Sequence, residues 1–335
     1  MARYAAVSAE GGTKAVVAAL VANSFIALCK FGGWALTGGA ASSLLAEAIH
    51  SVADAGNQAL LLVGGRRAQR AATPEHPFGF GRERYVFAFI VAIVLFSVGG
   101  LFALYEAYHK YHEIQEGHAN ELLQSQWWWL PVAILVAAII AESLSFRTAI
   151  MESSKTKGRQ TWGRFIRSAK SPELPVILLE DLAALVGLIF ALAGVGLTLI
   201  TGNAYFDVIG TGMIGLLLVA VAVTLAFETK SLLVGESATP ESIKKIEAAL
   251  TGTDGVDKII HMKTLHLGPE EVLVAAKIAV GRTDSAGDVA DTINRAETAI
   301  RDADPMVTAL YLEPDIYHAD YEPQDRPERP AAPAH

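Results

Sequence analysis

Cysteine and charge are both scarce in this sequence of 335 residues. The one cysteine, Cys29, excludes a disulfide within a single chain and a cluster of thiolate metal ligands. Charged residues make up only 19% of the sequence, against about 25% in typical soluble domains, whereas hydrophobic residues make up 52%. This composition disfavours a soluble globular protein and indicates an integral membrane protein.

The acidic excess of the chain is confined to its C-terminal part. From Glu236 onward the sequence contains 19 acidic and 10 basic residues, whereas residues 1–235 contain 16 acidic and 17 basic ones. An acidic surface repels phosphate groups, so the sequence predicts no nucleic-acid partner.

Six apolar runs are long enough to cross a bilayer, which takes about 20 residues. We predict spans at about 14–36, 42–64, 84–107, 127–149, 174–200 and 204–228. Residues 1–13 are predicted to be an N-terminal tail. The first apolar run is interpreted as a span, not a removed signal peptide, because no clear small-residue cleavage site accompanies it. The predicted transport domain is therefore an all-α six-helix bundle over residues 14–235.

The distribution of basic residues predicts the orientation of these spans. The stretch Arg66–Arg84, which joins spans two and three, carries five arginines, and the stretch Arg147–Lys170, which joins spans four and five, carries seven basic residues. The segments on the opposite side contain a single Lys110 between them. Basic loops stay on the cytoplasmic side, so both termini are predicted to be cytoplasmic in a multi-pass membrane protein, which in a bacterium is the cell membrane.

The sequence changes character after Gly235. Thr239 and Pro240 are typical of a helix start, and the following patterns predict helix-strand-strand-helix-strand over residues 236–315. This order makes a small cytoplasmic α+β domain. The proline-rich tail 316–335 is predicted to be disordered.

Ionisable residues interrupt two of the predicted spans. His50 and Asp54 are four residues apart, so they lie on one face of a helix, one turn from each other. Imidazole and carboxylate are suitable ligands for Zn²⁺ and related divalent ions. Glu180 and Asp181 in the fifth span are candidates for the remaining ligands of a tetrahedral site.

Structural roles compete with metal binding for these polar groups. A histidine in a membrane helix often forms a hydrogen bond to another helix, and we expect the same of Asn57. Glu47 is interpreted as a snorkelling or hydrogen-bonded structural residue. Glu142 is expected near the end of span four, in an ion pair with a nearby arginine.

Several stretches together resemble the cation diffusion facilitator family. These are "SSLLAEAIHSVADAGNQ" in the second span, the basic loop with "HPFGFGRERY", the acidic fifth span with "LLEDLAALVG", and the C-terminal domain. The resemblance covers about residues 12–315. Within the family, these motifs resemble the branch that includes the mitochondrial zinc transporters of animals. The resemblance implies a homodimer that exchanges a cytoplasmic divalent metal ion, usually Zn²⁺, for protons, with an α-β-β-α-β cytoplasmic domain like that of metallochaperones.

The resemblance also implies a set of metal ligands. The second-span pair of the family falls on His50 and Asp54, and its fifth-span aspartate falls on Asp181. The partner of that aspartate falls on Ile177, which cannot bind metal. Glu180 is a candidate replacement; the alternatives are a site completed by water and a ligand from another span. Because such a set is rich in oxygen, Mn²⁺, Fe²⁺ and Co²⁺ remain alternatives to Zn²⁺, and no cofactor besides the transported metal is expected.

The family's other metal positions are only partly present. In the basic loop His76 matches, but Phe80 stands where a second histidine is common. In the cytoplasmic domain, the alternatives are a weak regulatory metal site using His261, His266 or Glu313, and a domain that only dimerises. Three more histidines are predicted on the far side of the membrane: His109, His112 and His118. They either form a cluster that attracts metal ions or belong to a solvated loop.

Two other classes of function compete with a transporter. A membrane-anchored metal sensor or scaffold does not explain ionisable groups in two separate spans. An intramembrane hydrolase would use paired carboxylates or a metal, but neither an HExxH nor a GxSxG motif is present. The sequence therefore predicts a metal transporter and not an enzyme.

Overall fold

The described part of the chain divides into two compact units. A computed structural model describes residues 20, 23–38, 41–116 and 126–319. The first unit contains the helices up to Val234, and the second begins at Gly235, with Glu75–Phe78 grouped with the second.

Helices make up the first unit. Helix α1 covers residues 23–36, and the predicted first span, 14–36, lies partly outside the described residues. The other helices are α2 (Ser42–Ala68), α3 (Glu83–Gln115), α4 (Leu130–Lys157), the short α5 (Trp162–Ser168), α6 (Glu173–Thr201) and α7 (Tyr205–Val234). Helix α3 is continuous, although its residues Leu95–Leu101 form a π-helical segment.

Four of these helices, α3, α4, α6 and α7, are long and apolar enough to cross a membrane. They correspond to the predicted spans three to six, and α3 continues to Gln115, beyond its predicted end at about residue 107. Helix α2 is also long, with 27 residues, but polar side chains such as Glu47 and Asp54 lower its hydropathy.

Helix α6 occupies a central place in this unit, because it packs against α2, α4 and α7. Glycines allow the backbones of α6 and α7 to approach closely. A Cβ atom at Gly194 would lie 3.0 Å from the carbonyl oxygen of Phe206, and one at Gly210 would lie 2.9 Å from that of Phe190. Small residues at such crossings are a common means of helix association in membranes.

A carboxylate on α7 holds the start of α2. Asp207 is buried and accepts hydrogen bonds from the backbone N–H (2.9 Å) and hydroxyl (2.8 Å) of Ser42. It also accepts from the N–H of Ser43 at 3.4 Å and from the Ser43 hydroxyl. The first N–H groups of a helix have no partner within the helix, so Asp207 caps α2 from a neighbouring element.

The second unit has the predicted order of elements: α8 (Pro240–Thr251), β1 (Lys258–Gly268), β2 (Glu271–Ala279), α9 (Ala286–Ala303) and β3 (Val307–Asp315). The side chain of Thr239 caps α8 by accepting from the N–H of Ser242, as its sequence predicts. Strand β2 lies in the middle of the sheet, antiparallel to β1 and parallel to β3.

Candidate metal-transport site

His50 and Asp54 form a buried pair on α2. The His50 side chain is completely buried, and its Nε2 lies 3.5 Å from Asp54 Oδ2, as expected for residues one helical turn apart. Neither ring nitrogen of His50 makes a hydrogen bond to another described residue, and the same is true of Asp54 Oδ1. Buried polar atoms are nearly always hydrogen-bonded, so these atoms retain the capacity to bind a ligand.

Glu180 and Asp181 on α6 are each held by a side chain of another helix. Asn57 on α2 donates a hydrogen bond of 2.7 Å to Glu180 Oε1, which confirms the predicted interhelical role of Asn57. Ser145 on α4 donates to Asp181 Oδ2 at 2.9 Å. Both carboxylates interact electrostatically with Asp54, so the acidic groups of α2 and α6 share one buried region.

The four predicted ligands are neighbours but do not form a complete coordination shell. Over residues 20–319, apart from the stretches that the structure leaves undescribed, no three His, Cys, Asp or Glu side chains group closely enough to hold a metal ion. Ile177 packs against the apolar core of the helices. Simultaneous coordination by α2 and α6 would therefore require side-chain or helix movement from this arrangement.

Two buried ionisable residues near this region, Glu142 and Lys30, were not predicted correctly from the sequence. Glu142 is not paired near the end of its helix: it is buried within α4 and interacts electrostatically with Lys30. Lys30 itself was not among the predicted site residues, although it is an ionisable residue within the predicted first span. An ionisable residue at that depth is a functional candidate by default, and this signal was available in the sequence.

Comparison with known proteins identifies the family of this helical unit. Residues 16–234 match the family model described as the cation efflux transmembrane domain. The chain belongs to the cation diffusion facilitator family. This assignment confirms the resemblance drawn from the motifs and makes the chain an integral membrane protein.

Curated proteins of animals and of a plant are similar to this family member. The mouse protein "Proton-coupled zinc antiporter SLC30A9, mitochondrial" is 32% identical over 82% of this chain and 47% of its own length, and the human protein of that name is 31% identical over the same shares. "Metal tolerance protein C4" of Arabidopsis thaliana is 28% identical over 79% of this chain and 56% of its own length. The chain thus spans about half the length of the curated relatives it matches.

The structure does not bring the predicted regulatory ligands of this family member together. His261 pairs across the sheet with Lys277, and His266 pairs with Val272, which belongs to the core on the opposite face of the sheet. Side chains alternate between the faces of a strand, so the two histidines point apart. The remaining predicted ligand, Glu313, lies 3.1 Å from the ammonium group of Lys277.

The ammonium group of Lys277 therefore lies beside the acidic residues at the end of β3. Lys277 also donates a hydrogen bond of 2.8 Å to Asp315. The hydrogen bonds that Lys277 donates to Asp315 and Glu313 raise the pKa of its ammonium group, so this group stays charged at neutral pH. Within the described residues of this unit, His261, His266 and Glu313 therefore do not converge on one point, and a role of the domain in dimerisation stays a prediction.

Among the residues that the structure describes, His109 and His112 do not belong to a group of metal ligands. His109 lies 3.5 Å from Glu113 and its side chain is about half exposed, while His112 packs edge-on against Tyr108. His118 lies outside the described residues. In the basic loop, the ring of Phe80 packs under the guanidinium of Arg70 at 4.7 Å.

Proposed function

We propose that this protein exports a divalent metal ion, with Zn²⁺ as the first candidate, in exchange for protons. The observation that carries the proposal is the buried His50–Asp54 pair, whose atoms His50 Nδ1, His50 Nε2 and Asp54 Oδ1 make no hydrogen bond to a described residue. Burying such groups without partners costs free energy, which binding of a cation would recover. The pair belongs to a cation efflux transmembrane domain, and one relative in mouse is named a proton-coupled zinc antiporter.

In the proposed mechanism, a cytoplasmic metal ion binds His50, Asp54 and Asp181, and Glu180 or water completes the shell. Coordination requires deprotonated ligands, so binding releases protons. On the far side, protons compete with the metal for His50 and the carboxylates. Imidazole suits this exchange because its ordinary pKa is near neutrality. Movement between α2 and α6 would assemble and disassemble the shell, which fits alternating access.

The proposal includes a membrane arrangement. The six predicted spans, with both termini and the C-terminal domain in the cytoplasm, place the basic loops on the negative side of the membrane. The C-terminal domain is proposed to support a homodimer by packing of its sheet and helices. Cysteine labelling of loop residues from either side in oriented vesicles would test this orientation.

Transport by the wild-type protein is the direct test of the proposal. Purified protein reconstituted in proteoliposomes should carry Zn²⁺ across the membrane and move protons in the opposite direction, as reported by a pH-sensitive dye. Protein-free liposomes provide the background. Zn²⁺ binding without flux would instead support the membrane-anchored sensor, and product formation from a substrate would support the hydrolase.

Oxygen-preferring metals are a second candidate cargo, because one histidine and three carboxylates make up the proposed ligand set. We expect Glu180→Gln to reduce Mn²⁺ flux more than Zn²⁺ flux, since loss of a carboxylate oxygen affects the harder ion more strongly. The expected change in the Mn²⁺/Zn²⁺ ratio is about tenfold, as for loss of a metal-site group.

A competition assay with Zn²⁺, Mn²⁺, Fe²⁺ and Co²⁺ on the same proteoliposomes measures this ratio. Leu182→Ala is the matched control, because Leu182 is a neighbour on α6 with a side chain exposed on the helix surface. An unchanged ratio in the Glu180→Gln protein would remove Glu180 from the ligand set.

A further inference from the structure

A buried ammonium group lies beside the proposed site. Lys30 on α1 is the only lysine or arginine among the described residues that is buried. Its Nζ lies 3.1 Å from Glu47 Oε2, 2.8 Å from Ser51 Oγ and 3.4 Å from the carbonyl oxygen of Glu47. An ammonium group has three N–H donors, so these contacts satisfy all of them. Lys30 is therefore a positive charge held in one position by α2.

This charge is close enough to the proposed ligands to affect them. Glu47 precedes His50 by three residues on the same face of α2, and Ser51 follows His50 directly. Lys30 interacts electrostatically with His50, Asp54 and, on α4, Glu142. Because the interior of a membrane protein has a low dielectric constant, such interactions are much stronger than in water.

Glu47 is only half satisfied by this ion pair. Its Oε2 contacts Lys30, whereas its Oε1 makes no hydrogen bond within the part of the chain that the structure describes. That oxygen points toward α6, because a Cβ atom at Gly187 would lie 2.5 Å from it. The carboxylate thus faces the helix that carries Asp181, and one of its oxygens remains available to a cation.

We propose that Lys30 lowers the affinity of the site for a divalent cation, so that the ion can be released. This inference rests on the proposed transport function. Five buried carboxylates form or flank the site, and they would hold a dication strongly without a compensating charge: Glu47, Asp54, Glu142, Glu180 and Asp181. A site on a transport pathway must bind its ion weakly enough to let it leave. Lys30 meets this requirement by neutralising Glu47 and repelling the dication.

The inference predicts opposite effects for the two members of the ion pair. Lys30→Met removes the positive charge and should tighten Zn²⁺ binding by about tenfold or more, since a unit charge several ångströms from a dication is worth that much even at an effective dielectric constant of about 20. Glu47→Gln leaves Lys30 uncompensated and should weaken binding by about tenfold or more. The double variant restores the charge balance, so its Kd should lie within about threefold of the wild type.

The purified 335-residue protein in detergent is used for the measurement, with Zn²⁺ itself as the probe and a fluorescent chelator as competitor. Lys30→Arg keeps the charge and should therefore shift the Kd for Zn²⁺ less than Lys30→Met does. In proteoliposomes, Lys30→Met should transport Zn²⁺ more slowly although it binds the ion more tightly. A variant that is merely misfolded would lose both binding and transport.

Several outcomes would overturn the inference. An unchanged or weaker affinity in Lys30→Met is one of them. If that variant cannot be purified in folded form, the double variant decides: binding as weak as in Glu47→Gln would identify Glu47 as a ligand and contradict a charge-balancing role for Lys30. A wild-type protein that binds no Zn²⁺ would overturn the proposed Zn²⁺ transport as well, whereas normal wild-type transport with unshifted variants overturns only the role of Lys30.

Discussion

Replacing His50 with alanine is expected to lower Zn²⁺-dependent proton flux in proteoliposomes by more than about 100-fold. Loss of a group that only supports a metal ligand reduces affinity or activity by about 10- to 100-fold, and loss of the ligand itself should exceed this. His50 contributes the one imidazole of the proposed set, and its ring nitrogens make no other hydrogen bond to a described residue. Asp54→Ala should have an effect of the same size, because its carboxylate is the second member of the pair.

Val52→Ala is the control for both substitutions. Val52 lies on α2 between the two residues, but its side chain is 49% exposed and points away from the site. We expect this variant to keep wild-type flux, and all three proteins to keep the helical content and elution volume of the wild type. Flux that survives in both His50→Ala and Asp54→Ala would show that the metal binds elsewhere.

Asp207→Ala should strongly destabilise the helical unit. The carboxylate accepts four hydrogen bonds from Ser42 and Ser43, and all of these donors are at the buried start of α2. A hydrogen bond to a charged group contributes about 1.5–3 kcal/mol, and the orphaned donors would add their own desolvation penalty. We therefore expect the free energy of unfolding to fall by about 3 kcal/mol or more.

Thermal unfolding in detergent, followed by circular dichroism, measures this loss as a lower midpoint. Asp207→Asn keeps an acceptor oxygen and should lie between the wild type and Asp207→Ala. Ile209→Ala removes a side chain exposed on the surface of the same helix and should leave the midpoint near that of the wild type. Equal midpoints for Asp207→Ala and Ile209→Ala would contradict a capping role for Asp207.

Individual helices and strands were the features that local sequence patterns predicted best. The long apolar runs of α3, α4, α6 and α7 leave no alternative to a helix in a membrane, because backbone groups there must be hydrogen-bonded internally. The cap that Thr239 forms also involves only residues close in sequence. The same holds for the alternation of buried and less buried residues along β2. The predicted pairing of His50 with Asp54 belongs to the same class, since a four-residue spacing on a helix brings the side chains together.

Contacts between helices were harder to predict. The expectation that Glu142 pairs with an arginine near a helix end was wrong, because the packing of α1 and α4 gives it a different electrostatic partner, Lys30. The prediction that Glu180 and Asp181 serve as ligands remains a prediction, although each has a helix neighbour in Asn57 and Ser145. The local sequence around these residues does not predict which residue of another helix each one contacts.

The sequence by itself determined that this is a membrane protein of the cation diffusion facilitator family, that its C-terminal part is α+β, and that His50 and Asp54 share one helix face. Each of these follows from composition, motif or spacing within a single element. Only the tertiary structure decided that Lys30 pairs with Glu47, that Asp207 caps α2, and that Lys277 neutralises the acidic end of β3. Those contacts join residues 17 to 165 positions apart, or on different strands, and the packing of whole helices and strands selects them.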